Sequence, residues 1–137
     1  MSARSQVLEA LADFARGTDA RDWVTLRGLL ADDVRGYGTD GAEQVIAQMR
    51  AHLDGCGPTQ HLLGNHRVSF TGEDKARTWS YGRVMHLGAG DKASKTLELF
   101  GEYDDTWVRK GTGWVLHRRS FEISISLGDW GVLRKAQ

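Results

Sequence analysis

The sequence has one cysteine, one proline, no net charge and no long apolar run. Each scarcity removes a class of protein. A single cysteine forbids an internal disulfide and fits a reducing compartment, so Cys56 reads as a small loop residue. Eighteen Lys and Arg balance eighteen Asp and Glu, which leaves no electrostatic footprint for nucleic acid or an anionic membrane. No stretch approaches the ~18 apolar residues of a membrane span. The start, Met1 to Gln6, lacks a secretory apolar core. A soluble, cytoplasmic protein is expected. Gly-x-Gly-x-x-Gly, a phosphate-binding Gly-Lys-Ser/Thr loop, His-Glu-x-x-His, Cys-x-x-Cys and Gly-x-Ser-x-Gly are all missing. Nothing reads as a nucleotide site, a metal site or a serine hydrolase, and no cofactor or metal is expected.

Seventeen glycines are present beside the one proline, a balance that suits bent strands and tight connections. The length fits one domain over residues 1–137. Val7, Leu8, Leu11, Phe14 and Ala15 follow helical spacing, predicting a helix over 4–16 ended by Gly17. Trp23, Leu26, Leu29 and Leu30 predict a second helix to about Ala31, followed by an extended piece at 34–38. Asp40 with Glu43 resembles a capping box, and Val45, Ile46, Met49 and Leu53 place a third helix behind it. From there the period changes to two. Segments 60–70, 76–87, 96–109 and 113–127 alternate, with hairpin loops between them. The expected fold is α+β: three N-terminal helices on a curved, mainly antiparallel sheet that encloses a pocket.

Parity assigns the faces. Leu97, Leu99, Gly101 and Tyr103 point inward, as do Phe121, Ile123 and Ile125. The strand over 76–87 is ambiguous, with Ser80, Gly82, Val84 and His86 opposing Trp79, Tyr81, Arg83 and Met85. No pair among His52, His61, His66, His86 and His117 has zinc spacing. What remains is a set suited to proton transfer: His61 at a strand start, His86 at the end of the next strand, Asp19 in the first interhelical turn and Tyr37 after the second helix. These supply a base, a carboxylate to orient it and donors for a developing oxyanion.

Thr18-Asp19-Ala20-Arg21-Asp22-Trp23 and Thr59-Gln60-His61 resemble motifs of the SnoaL-like and scytalone dehydratase branch of the NTF2-like superfamily. The resemblance runs from the first helix to Gly128-Asp129-Trp130-Gly131. It implies Asp19 and His61 as a catalytic base pair, with His86 as a second site histidine and Tyr37 as a water-holding tyrosine. A hexachlorocyclohexane dehydrochlorinase of the superfamily uses a similar pair. A second tyrosine of the dehydratase is Thr18 here, and its serine and asparagine are Gly101 and Tyr103, so scytalone itself is not the expected substrate.

The expected activity is that of a cofactor-independent lyase, isomerase or cyclase acting on a polyketide, aromatic or steroid-like molecule. Thr18, Val84, Leu99, Tyr103, Phe121 and Ile123 would line the substrate site. The family commonly forms dimers or trimers, and Trp79, Tyr81 and Phe100 could supply the surface. Other readings stay open. Asp19 could cap the second helix, Tyr37 could be a core tyrosine, and His52, His66 and His117 could lie on the surface. The whole chain could be a non-catalytic binding or assembly module, or the accessory subunit of a dioxygenase.

Overall fold

A computed structural model describes residues 1–133. The elements run α1 (Ala3–Ala20), α2 (Trp23–Gly28), β1 (Leu30–Gly36), β2 (Thr39–Asp40), α3 (Ala42–Leu53), β3 (Cys56–Phe70), β4 (Lys75–Gly88), β5 (Thr96–Lys110) and β6 (Gly113–Gly128), with short 3₁₀ turns at Gly90–Lys92 and Trp130–Leu133. Six strands form one sheet in the order β2-β1-β6-β5-β4-β3. All pairings are antiparallel except β1 with β6. The sheet is therefore a mixed, open one, with β3 on a free edge. The helices are not three in a row, because β1 and β2 intervene between α2 and α3.

Several element ends differ from the periodic reading, each for a tertiary reason. Gly17 does not stop α1. It packs on Leu26, whose Cδ2 would lie 3.1 Å from an added Cβ, and the helix continues to Arg21 at φ 56. The helix after Asp22 closes at Gly28, because Leu30 already pairs with Leu116 of β6. Asp40 caps nothing. Gly41 is the N-cap residue of α3 without a side-chain bond, and Asp40 accepts from Arg35 while Glu43 accepts from Arg27.

The main core lies between the helices and the inner sheet face, with Phe14, Leu26, Leu30, Met49, Trp107 and Leu116 fully enclosed. Trp107 donates to Thr78 Oγ1 and Trp114 to Gln6 Oε1, so both indoles serve packing within the chain. A second cluster of Val84, Leu97, Leu99 and Val132 sits nearer the far end of the sheet.

Of the register shifts in the sheet, two bear on how its faces and edge are presented. A register shift between Phe100 and Gly101 places Ile123 opposite Gly101 but Ile125 opposite Phe100. The expected inward trio is thus split: Phe121 and Ile123 face in, and Ile125 faces out at 53% exposure. Bulges of this kind reverse parity downstream. The second lies in β3, where Asn65 has φ 57 and the register shifts between Gly64 and Arg67. In β4 the ambiguity resolves, with Ser80, Gly82, Val84 and His86 buried on the inner face.

Candidate functional site

The C-terminal turn of α1 brings Asp19 against the first residues of β3. Asp19 Oδ1 lies 2.6 Å from His61 Nδ1 and accepts from Thr59 Oγ1 at 2.9 Å. Asp19 Oδ2 accepts from the His61 backbone N–H at 2.9 Å. Burial alone would raise the Asp19 carboxyl. The hydrogen bonds from the His61 side chain and backbone, the His61 charge and the Thr59 hydroxyl outweigh it, and the carboxyl is held below its ordinary value. An ionised carboxylate only accepts, so Nδ1–H of His61 is the donor, and in the neutral ring that tautomer puts the lone pair on Nε2. Helix capping falls to Asp22 instead, which accepts from Thr25 N and Oγ1.

Arg21 ties this corner together. Its Nη1 donates to the Thr18 and Asp19 carbonyls and to Thr59 Oγ1, and its Nη2 donates to the Gly57 carbonyl. The left-handed backbone at Arg21 turns the side chain back over the helix end, where the last carbonyls lack helical partners. Neither Arg21 nor Thr59 was singled out as a functional residue from the sequence, although both lie inside the two motifs.

An apolar cavity of about 240 Å³ opens beside His61. Its wall includes Thr18, Tyr37, His86 and Tyr103 along with Val84, Leu99, Phe121 and Ile123. Every expected site residue except Asp19 therefore borders one hollow, and Asp19 stands behind His61. The hollow is open to the surface rather than enclosed. Five further wall residues were missed: Met49, His52 and Leu53 from α3, and Trp130 and Leu133 from the last turn. The apolar stripe of α3 was legible, but nothing in the sequence says the C-terminal turn folds back over the cavity. His52 is exposed at the rim, whereas His66 and His117 are half-buried.

The floor depends on two glycines. Gly82 and Gly101 are direct partners across β4 and β5. A Cβ on Gly101 would lie 2.8 Å from the Phe121 ring, and one on Gly82 would collide with the Tyr103 ring. In the dent they leave, Tyr103 and Phe121 stack at 4.2 Å. The absence of side chains at these positions is what lets the aromatic pair lie flat.

The hydroxyls differ in their partners. Thr18 Oγ1 donates to the Phe14 carbonyl, so its proton is spent within the helix. Tyr37, at φ 54, accepts from Arg119 Nη1 at 3.4 Å. The Tyr103 hydroxyl has no hydrogen-bond partner among the described residues, and burial pushes its pKa upward despite nearby Arg119. Arg119 itself is enclosed, donating to both oxygens of Asp105 at 2.9 and 2.8 Å and lying over the rings of Phe14 and Tyr103. Burial disfavours its charge, but Asp105 outweighs that and holds the guanidinium charged. The signal for this pair was available: Asp105 shares the inward parity of Tyr103 and Trp107.

His86 was expected to hydrogen-bond the substrate oxygen that gains charge or departs; its Nδ1–H donates to the Leu97 carbonyl at 2.9 Å, which leaves Nε2 for that role. Burial lowers its pKa, and the Leu97 bond only partly opposes that. Neutral His86 therefore presents an accepting Nε2.

Among the described residues no three His, Cys, Asp or Glu side chains converge as a metal site, and no helix is long and apolar enough to cross a membrane. Among functionally curated proteins none matches the chain. Solved structures share its fold at low identity. A scytalone dehydratase-like protein of Novosphingobium aromaticivorans superposes with TM-score 0.83 at 19% identity, over 90% of this chain and 85% of that one. The Kfla4162 protein of Kribbella flavida gives 0.82 at 19%, over 95% of each. The hexachlorocyclohexane dehydrochlorinase LinA-type3 of Novosphingobium barchaimii LL02 gives 0.80 at 17%, over 92% and 89%. The SnoaL-like domain model matches residues 1–120, from α1 well into β6. On a match of that extent the chain belongs to the SnoaL-like family.

Proposed function

We propose that this chain is a cofactor-independent lyase, isomerase or cyclase for a small, mostly apolar, oxygenated substrate such as a polyketide, aromatic or steroid-like molecule. One observation carries the reading: the 2.6 Å contact between Asp19 and His61 at the wall of an apolar cavity. Nε2 of His61 takes a proton from a carbon next to a carbonyl. Asp19 holds the ring in the required tautomer and stabilises the imidazolium that forms. General-base catalysis of this kind contributes about 10²–10⁴-fold.

The freed electron pair then moves onto the carbonyl oxygen. Tyr37 and Tyr103 donate to that oxygen. The first has its lone pair engaged by Arg119, and neither hydroxyl proton has an acceptor among the described residues. His86 accepts from a substrate hydroxyl. Return of the electron pair expels a leaving group, which takes the proton from the His61 imidazolium, or His61 returns that proton to a second carbon and the double bond moves, giving elimination or isomerisation. A hexachlorocyclohexane dehydrochlorinase with the same fold supports a proton-removing reading, because loss of hydrogen chloride also takes a proton from carbon. A homodimer or homotrimer joined through the outer sheet face completes the proposal. Leu62, Tyr81, Ile125 and Leu127 are 61%, 53%, 53% and 56% exposed there.

The test is hydrogen exchange at carbon. Cyclic and aromatic ketones incubated with the protein in D₂O should gain deuterium next to the carbonyl, read by NMR. His61→Ala should abolish the gain while the circular dichroism spectrum stays native. An active, folded His61→Ala variant overturns the base assignment. Binding without exchange by the unaltered protein leaves a ligand-binding module.

A further inference from the structure

Helix α1 lies along β3, the free edge of the sheet, without closing on it. Between them runs a groove of about 380 Å³, lined on its long sides by Leu8, Leu11, Ala12, Ala15 and Leu63, with Arg16, Asp19, Gln60 and His61 toward one end. At ~1.5 Å of rise per residue, the helix carries this groove roughly 16 Å from Leu8 to Asp19. Alanines at 12 and 15 leave it open where larger side chains would fill it.

The far end is basic. His66 borders the groove and also a second hollow that takes in Arg4, Arg67 and Arg77. Arg77 is paired with Asp104, but Arg4 and Arg67 make no ion pair among the described residues. Asp19 is the one carboxylate among the residues lining either hollow, and its oxygens are occupied by His61 and Thr59. An apolar trough that ends in uncompensated cations complements an apolar molecule with an anionic end. The inner cavity, at about 240 Å³, falls below the ~300–1,000 Å³ of most ligand pockets. A substrate larger than that cavity has to continue elsewhere, and His61 is the wall shared by both hollows.

We propose that the α1–β3 groove is the subsite for the distal part of the substrate, which is an amphiphilic anion: its apolar chain lies along α1, its carboxylate or phosphate meets Arg4 and Arg67, and its reactive end reaches His61. This rests on the reading of His61 as the base, so the test measures binding rather than turnover.

Isothermal titration calorimetry on the full chain would compare decanoate, decyl phosphate, decanol and inorganic phosphate. Decanoate or decyl phosphate should bind at least about tenfold more tightly than decanol, since a hydrogen bond to a charged group is worth that much. Which anion binds better identifies the head group. Inorganic phosphate alone should not saturate. Arg4→Gln with Arg67→Gln should erase the preference over decanol. Ala12→Trp, on an exposed helix position, should fill the groove and remove binding, and Ala15→Leu should weaken it. Ile123→Trp, in the inner cavity and outside the groove lining, should leave decanoate binding intact. Equal affinity for decanoate and decanol, retained binding in Ala12→Trp or lost binding in Ile123→Trp overturns the subsite. An active His61→Ala variant that still binds decanoate overturns the base assignment alone.

Discussion

Thr59 has its hydroxyl committed in both directions, donating to Asp19 and accepting from Arg21. Valine has nearly the same shape and neither bond. Thr59→Val should therefore destabilise the fold by about 1–2 kcal/mol, the net worth of two part-buried hydrogen bonds whose partners keep others, as read by urea denaturation. His86 gives a pH prediction. Its pKa in the fold lies below the ordinary 6.5, so the unfolded chain binds its proton first as pH falls. The stability tied to neutral His86 is complete above about pH 6.5. It is lost as pH falls from there through the depressed value. His86→Gln should flatten that part of the stability curve in denaturation series between pH 7 and 4. At this scale the motifs made Asp19 and His61 legible. Arg21 was not legible, because its role depends on a left-handed backbone that no periodicity announces.

The elements were legible where one period ran uninterrupted and blurred where contacts from elsewhere set the limits. The four long strands came out within a few residues. The capping box at Asp40 failed because Arg35 and Arg27 drew both carboxylates away. Gly17 was misread for a related reason, since the sequence shows a glycine but not the leucine pressed against it. Parity served β5 throughout and failed in β6 at a single bulge. The glycine pair across β4 and β5 supplies the prediction for this scale. Gly82→Ala forces a methyl into the Tyr103 ring and should cost about 1–3 kcal/mol as overpacking. Thermal denaturation checks the cost, and loss of the near-ultraviolet dichroism of the stacked pair checks the cause.

For the molecule as a whole, the α+β class and the curved sheet followed from the order of helices and strands, whereas the expected pocket residues came from strand parity and the family resemblance. The wall formed by the C-terminal turn followed from neither, because its contacts are long-range. The outer sheet face carries Leu62, Tyr81, Phe100 and Ile125 around one shallow hollow, with Arg83 paired to Glu98 beside them. A contiguous exposed apolar face of this kind is the surface that the proposed oligomer would use. Ile125→Glu should shift the protein from oligomer to monomer in light scattering, and an unaltered monomer in the parent chain would refute the oligomer outright.

The break at Asn65 matters to the same question of association. A fifteen-residue strand on a free border would offer a long flat row of unpaired amides to any other chain. The left-handed residue and the shifted register cut that row into two short, differently aimed lengths. The protein can thus carry His61, the proposed base, on a border strand without offering a continuous template for amyloid growth.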